Sequence, residues 1–76
     1  GDPGKALEFY TGLLSDDPDY VGAYFHLARL YAEQDDNKAA FDTYDKGIEI
    51  AKKLSDHHAL SELMSARSNL EMEDLI

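Results

Sequence analysis

The chain has 76 residues, enough for one domain, and a chain this short keeps much of its surface exposed unless its elements pack regularly. Sixteen acidic against seven basic residues give a formal charge of −9, a field that repels phosphate backbones and anionic membranes, so neither nucleic acid nor membrane is expected as a partner. The absence of cysteine excludes disulfides, zinc–thiolate sites and thiol catalysis.

No apolar run approaches the roughly 20 residues of a membrane span. The N-terminal GDPGKALEF lacks the basic region and small-residue cleavage site of a signal peptide, which points to the cytoplasm. Its first residue is Gly rather than Met, which suggests a processed chain or a piece of a longer one. The acidity reads as a solubility device. Five lysines against two arginines do not particularly suggest high-salt adaptation.

Four segments carry helical periodicity. The first, about residues 3–15, puts Ala6, Leu7, Tyr10, Leu13 and Leu14 on one face, with Asp2 as N-cap and Pro3 at the first helical position, where its missing N–H costs nothing. DDPD at 16–19 breaks the chain, with Asp17 as cap and Pro18 opening the second helix, about 18–34. That helix contains YFHLARLY, in which Tyr24, Leu27, Ala28 and Tyr31 stand at i, i+3, i+4 and i+7. QDDN at 34–37 is the next break, with Asp36 as cap. The third helix, about 37–54, buries Ala40, Phe41, Tyr44, Gly47, Ile48 and Ala51. Ser55 or Asp56 starts the fourth, with Leu60, Leu63, Met64 and Leu70 on its apolar face. No period-two alternation and no NG or DG hairpin signal occurs. The fold class is therefore all-α, four helices joined by short connections into antiparallel neighbours.

Displacing the chain by 34 residues lays Asp2, Ala6 and Tyr10 on Asp36, Ala40 and Tyr44, with Leu7 on Phe41 and Leu14 on Ile48. A small alanine four residues before an aromatic lets two helices approach while the ring fills the gap one turn on. With Tyr24, Leu27, Ala28 and Tyr31 in the first helix of the unit and Ala40 and Tyr44 in the second, the chain resembles the tetratricopeptide repeat family, an α-solenoid of helix-turn-helix repeats with a 34-residue period. Ala6, Tyr10 and Pro18 match the second half of a preceding repeat. The resemblance implies half a repeat at 1–19, a full repeat at 20–53 and a C-terminal capping helix and tail at 55–76, all in one domain. Two swaps preserve size, Tyr24 for Trp and Ala28 for Gly. Gly47 replaces an alanine and should weaken its helix slightly. Lys52 replaces the closing proline, so the third helix can run on toward Leu54. The fourth helix has no repeat signature: His58, Ser61, Glu62 and Ser65 fall under the four motif positions.

The resemblance also implies a function. The first helices of successive repeats line a concave groove that binds a protein or peptide, and the repeat-packing residues Ala6, Tyr10, Tyr24, Leu27, Ala28, Tyr31, Ala40 and Tyr44 hold the scaffold. Phe25, Arg29 and Ala32, one step round the second helix, would face the groove, with Gly22, His26 and Glu33 at its margins. In the competing arrangement Phe25 packs beneath the fourth helix and Arg29 pairs with Glu33. With Arg29 the lone candidate cation in the groove, clamping of a peptide's terminal carboxylate is not expected. If the fourth helix fills the groove, binding moves to the outer edge of the first helix at Phe9 and Leu13. The same edge offers the alternative function, a homodimerisation unit.

His58 and Glu62 stand four apart, a workable spacing for two zinc ligands, but His57 points elsewhere and no third ligand is fixed nearby, so a polar first turn is the better reading. The pairs Asp16-Asp17 and Asp35-Asp36 read as helix-start residues favoured by the dipole rather than calcium ligands, since the EF-hand pattern is missing. No nucleophile elbow and no glycine-rich phosphate loop is present. The expectation is an interaction module without cofactor or metal, and not an enzyme.

Overall fold

The computed structural model describes residues 2–75. Four helices and no strand occur among them: α1 (Pro3–Asp16), α2 (Val21–Glu33), α3 (Asn37–Lys53) and α4 (His57–Asp74). Each helix packs on the next in sequence, and α2 also touches α4, so α2 and α3 form the centre of a slab 33 × 27 × 17 Å.

The chain's acidic residues set the helix boundaries. Asp2 caps α1 by accepting from the Gly4 N–H at 2.9 Å, with Pro3 at the first helical position. Asp36 and Asp56 do the same for α3 and α4, accepting from Ala39 N and Ala59 N at 3.2 and 3.1 Å. Both also finish the helix before them. The N–H of Asp36 donates to Tyr31 O and that of Asp35 to Ala32 O; in the next turn Asp56 donates to Ala51 O and Ser55 to Lys52 O. This is the paired closure of the Schellman motif, and its left-handed position is held by Asp35 (φ 62°) and Ser55 (φ 55°) instead of glycine.

The first break differs from the expectation. α2 begins at Val21, not at Pro18, and its N-cap, Tyr20, contributes no side-chain bond. Asp17 terminates α1, donating its N–H to Leu13 O at 2.7 Å, while its carboxylate accepts from the Asp19 N–H inside the turn. Pro18 lies in that turn, and its carbonyl accepts the Tyr24 hydroxyl at 2.6 Å. The pair Asp16-Asp17 thus stands at a helix end. Of the pair Asp35-Asp36, only Asp36 caps.

The core is built where α2, α3 and α4 meet, from Tyr24, Ala28, Ala40, Tyr44, Ile50, Ala51, Leu63 and Leu70. Leu27 is also buried, Tyr31 half-buried. Ala6 and Tyr10 stay half-buried, unlike Ala40 and Tyr44 at the same repeat positions, because among the described elements α1 packs on α2 alone. On α4, Met64 faces solvent and the core side is completed by Ala59 and Ala66. On α3, Ile50 joins the buried set. Gly47 sits at the point of closest approach to α2, so its missing side chain is a packing requirement as well as a weakness of its helix.

Arg67 ties α4 to α3. Its Nε donates to Asp45 Oδ1 at 2.6 Å, its Nη1 bonds Glu71, and its guanidinium lies 5.0 Å from the Phe41 ring centroid. Asn37 Nδ2 bonds Asp74 Oδ1 at 2.7 Å where α3 starts and α4 ends. Lys53 reaches Asp19 at 3.1 Å, joining the end of α3 to the turn before α2.

Candidate functional site

One step round α2 from its core stripe, Phe25, Arg29, Ala32 and Glu33 form a wall. The facing wall is α4, which brings Ala66, Asn69, Leu70 and Glu73 opposite them, with Tyr44 of α3 at the floor. The cleft between them holds about 490 Å³. It continues past Phe25 along His58, Ser61, Glu62 and Ser65, a stretch of about 370 Å³, and ends beside Val21, Gly22 and Asp56. Phe25 borders every stretch, so a single ring runs through the whole α2–α4 groove.

Both arrangements considered for Phe25 and Arg29 coexist. The Phe25 ring is half-buried, edge-on to Tyr44 at 6.5 Å between centroids and to His26 at 5.7 Å. Arg29 lies 5.9 Å from the Phe25 centroid and 3.9 Å from a Glu33 oxygen, with both side chains mostly in water. At that distance and exposure the pair holds its geometry weakly. α4 therefore forms the second wall of an open groove.

Tyr44 is 3% exposed, yet its phenol borders the cleft. Burial raises its pKa above the ordinary phenol value; the Arg29 charge lowers it and Glu73 raises it. The hydroxyl is therefore neutral at physiological pH and lies within the field of the two charged residues that flank the cleft.

The remaining candidates separate. Gly22 and Glu33 border the two ends of the groove. His26 turns to α1, where it stacks on Tyr10 at 5.5 Å with an 18° interplanar angle, beside a shallow recess that Ala6, Leu30 and Arg29 also line. His58 pairs with Glu62 at 2.5 Å on the exposed rim, and no group of three or more metal-ligating side chains forms among the described residues. On the outer side of α1, Phe9 is 60% exposed and Gly12 faces open space, while Leu13 is half-buried.

The α4 wall, Asn69 and Glu73 above all, was missed by sequence reasoning, and so was the second role of Tyr44. A signal was present: the 34-residue displacement puts polar side chains where a packing stripe should be, as expected of a helix with one face turned to an open groove.

Comparison with known proteins gives a consistent picture. A family model described as tetratricopeptide repeat matches residues 1–64. Two structures of a tetratricopeptide repeat domain protein from Salinibacter ruber, one solved by solution NMR and one by crystallography, are 42% identical to this chain. They match 91% of this chain and 70% and 77% of their own, with TM-scores of 0.86 and 0.85. No curated protein matches the sequence. No helix among the described residues is long and apolar enough to cross a membrane.

Proposed function

The chain belongs to the tetratricopeptide repeat family, and from that membership we propose that it is a non-enzymatic protein-interaction module that receives a peptide or partner helix in the α2–α4 groove. In this reading residues 1–19 supply the second helix of one repeat, 20–53 a full repeat, and 55–76 a helix that both caps the array and walls the groove. Phe25, Arg29, Ala32, Glu33 and Gly22 are the contact residues, with His26 at the edge toward α1, and the protein works in the cytoplasm. The observation that carries the reading is the Phe25 ring, half-buried and bordering the groove along its full length. An aromatic anchor with polar groups around it is the arrangement that concentrates binding energy at interfaces.

The test compares capture of partners from lysate of the source cell by wild type and by Phe25→Ala/Arg29→Glu, with a melting curve to confirm that both are folded. A partner held by the wild type and lost by the variant supports the groove. Equal recovery by both moves the site elsewhere.

A second reading rests on a separate observation, the 60% exposure of Phe9 beside the open surface at Gly12. It makes α1 the seam of a homodimer. Sedimentation at several concentrations decides it, since a sedimentation coefficient independent of concentration removes the dimer.

A further inference from the structure

We propose that the segment bound in the α2–α4 groove is basic, and that its recognition centres on one lysine or arginine side chain inserted between Glu33 and Glu73 over the Tyr44 hydroxyl. The inference rests on the groove reading above and specifies its ligand.

Three observations converge on the same end of the groove. Glu33 and Glu73 face the cleft from opposite walls, and the one cation among the described residues lining it, Arg29, leans onto Glu33 and the Phe25 ring, so the carboxylates outnumber the positive charge there. Tyr44 is more than nine-tenths buried, but its hydroxyl opens into the cleft and has no hydrogen-bond partner among the described residues. A neutral phenol in that position accepts from an ammonium or guanidinium and donates to a carboxylate beside it. The third observation is Phe25, whose ring borders the cleft and can take the aliphatic stem and charge of such a side chain. An acidic ligand would instead meet two carboxylates and a chain of formal charge −9. α4 has 18 residues and is about 27 Å long at 1.5 Å per residue, which accommodates roughly eight residues of extended peptide.

The test uses degenerate peptides of about eight residues with one fixed central position, prepared as a Lys/Arg pool, a Gln/Leu pool and a Glu pool. Binding is read by fluorescence anisotropy and by backbone amide shifts of Arg29, Glu33, Asn69 and Glu73. The Lys/Arg pool is expected to bind about tenfold tighter than the Gln/Leu pool. That advantage should disappear in Glu33→Gln/Glu73→Gln and shrink in Tyr44→Phe. The charge-matched control Glu8→Gln/Glu49→Gln, altered outside the groove, should keep it. Equal loss in the control overturns the proposal by reducing the preference to net charge. Equal binding of all three pools, abolished by Phe25→Asp, overturns the cation while leaving the groove reading intact. A preference for the Glu pool overturns it in favour of Arg29 as anchor. Binding that survives Phe25→Asp unchanged, or no binding by any pool, overturns the groove reading with it. Melting curves of each variant separate loss of binding from loss of fold.

Discussion

Gly47 packs its bare Cα against the side chain of Tyr24: a Cβ at position 47 would lie 2.7 Å from the Tyr24 Cβ and 3.2 Å from both methyls of Leu63. Two helices close on α3 here: the Tyr24 contact is a Cβ fixed to its backbone, and the Leu63 methyls, though the end of their side chain, are 1% exposed and have little room to give. Helix propensity alone favours Gly47→Ala by about 1 kcal/mol. The overlap opposes it, and overpacking of this kind costs about 1–3 kcal/mol. Gly47→Ala is therefore expected to lower stability by about 1 kcal/mol, seen as a drop in Tm of roughly 4–8 °C. A rise in Tm would mean that the helices separate without cost.

How far the fold was legible in the sequence follows from this residue and its neighbours. The helices and the Ala40–Tyr44 packing pair were legible because period and spacing report which residues share a face. The meaning of Gly47 was not, because a glycine in a helix looks the same whether it is a flaw or a contact. The start of α2 was misread for a related reason: Pro18 is acceptable both at a first helical position and in a turn, and the bond from the Tyr24 hydroxyl to its carbonyl, made six residues away, favours the turn. At the site, Phe25 and Arg29 could be singled out from α2 alone. Glu73 and Asn69 could not, since only the crossing of α4 over α2 brings them into the same cleft.

The Tyr24 hydroxyl connects the α1–α2 turn to the core. Tyr24→Phe removes a 2.6 Å bond and is expected to cost about 1 kcal/mol at neutral pH. The bond also gives stability a pH dependence. Burial first, and then the charges of Asp19 and Asp17, raise the Tyr24 pKa, and burial raises that of Tyr44. A phenol whose folded value lies above its unfolded value contributes stability that is complete below the unfolded value, near 10, and is lost as pH rises through the folded one. Tm should therefore hold up to about pH 10 and fall above it, with a shallower fall in Tyr24→Phe. A Tm profile that is flat across this range would contradict the linkage.

Asp35 and Ser55 occupy the left-handed position of two equivalent turns. For most L-residues that conformation costs about 1–2 kcal/mol, less for aspartate, whose short polar side chain tolerates it. Glycine relieves the strain but loosens the unfolded chain. Ser55→Gly should gain about 0.5–1 kcal/mol and Asp35→Gly less, measured as urea midpoints at unchanged slope. The neighbouring caps act in the opposite sense: Asp36→Ala and Asp56→Ala should each lose about 1 kcal/mol.

Two ion pairs join distant parts of the chain, and their geometry predicts unequal worth. Lys53 meets Asp19 through one ammonium, with the lysine mostly in water and the aspartate partly so, an arrangement that contributes less than about 1 kcal/mol. Arg67 is only 30% exposed, bonds Asp45 on α3 and Glu71 on its own helix, and lies over Phe41. Its pKa is raised, mainly through the bond to Asp45, so the fork stays charged throughout the working pH range. Arg67→Ala should cost about 1–2 kcal/mol, and Lys53→Ala a fraction of that. Arg67→Lys distinguishes charge from shape. A single ammonium cannot hold two carboxylates and cover a ring in the manner of a planar guanidinium, so lysine should recover less than half of the loss. Full recovery by lysine would show that charge alone fastens α4 to α3. The Arg67 fork bears on binding because α4 is one wall of the groove: a loosened α4 should weaken peptide affinity even though Arg67 lies outside the cleft.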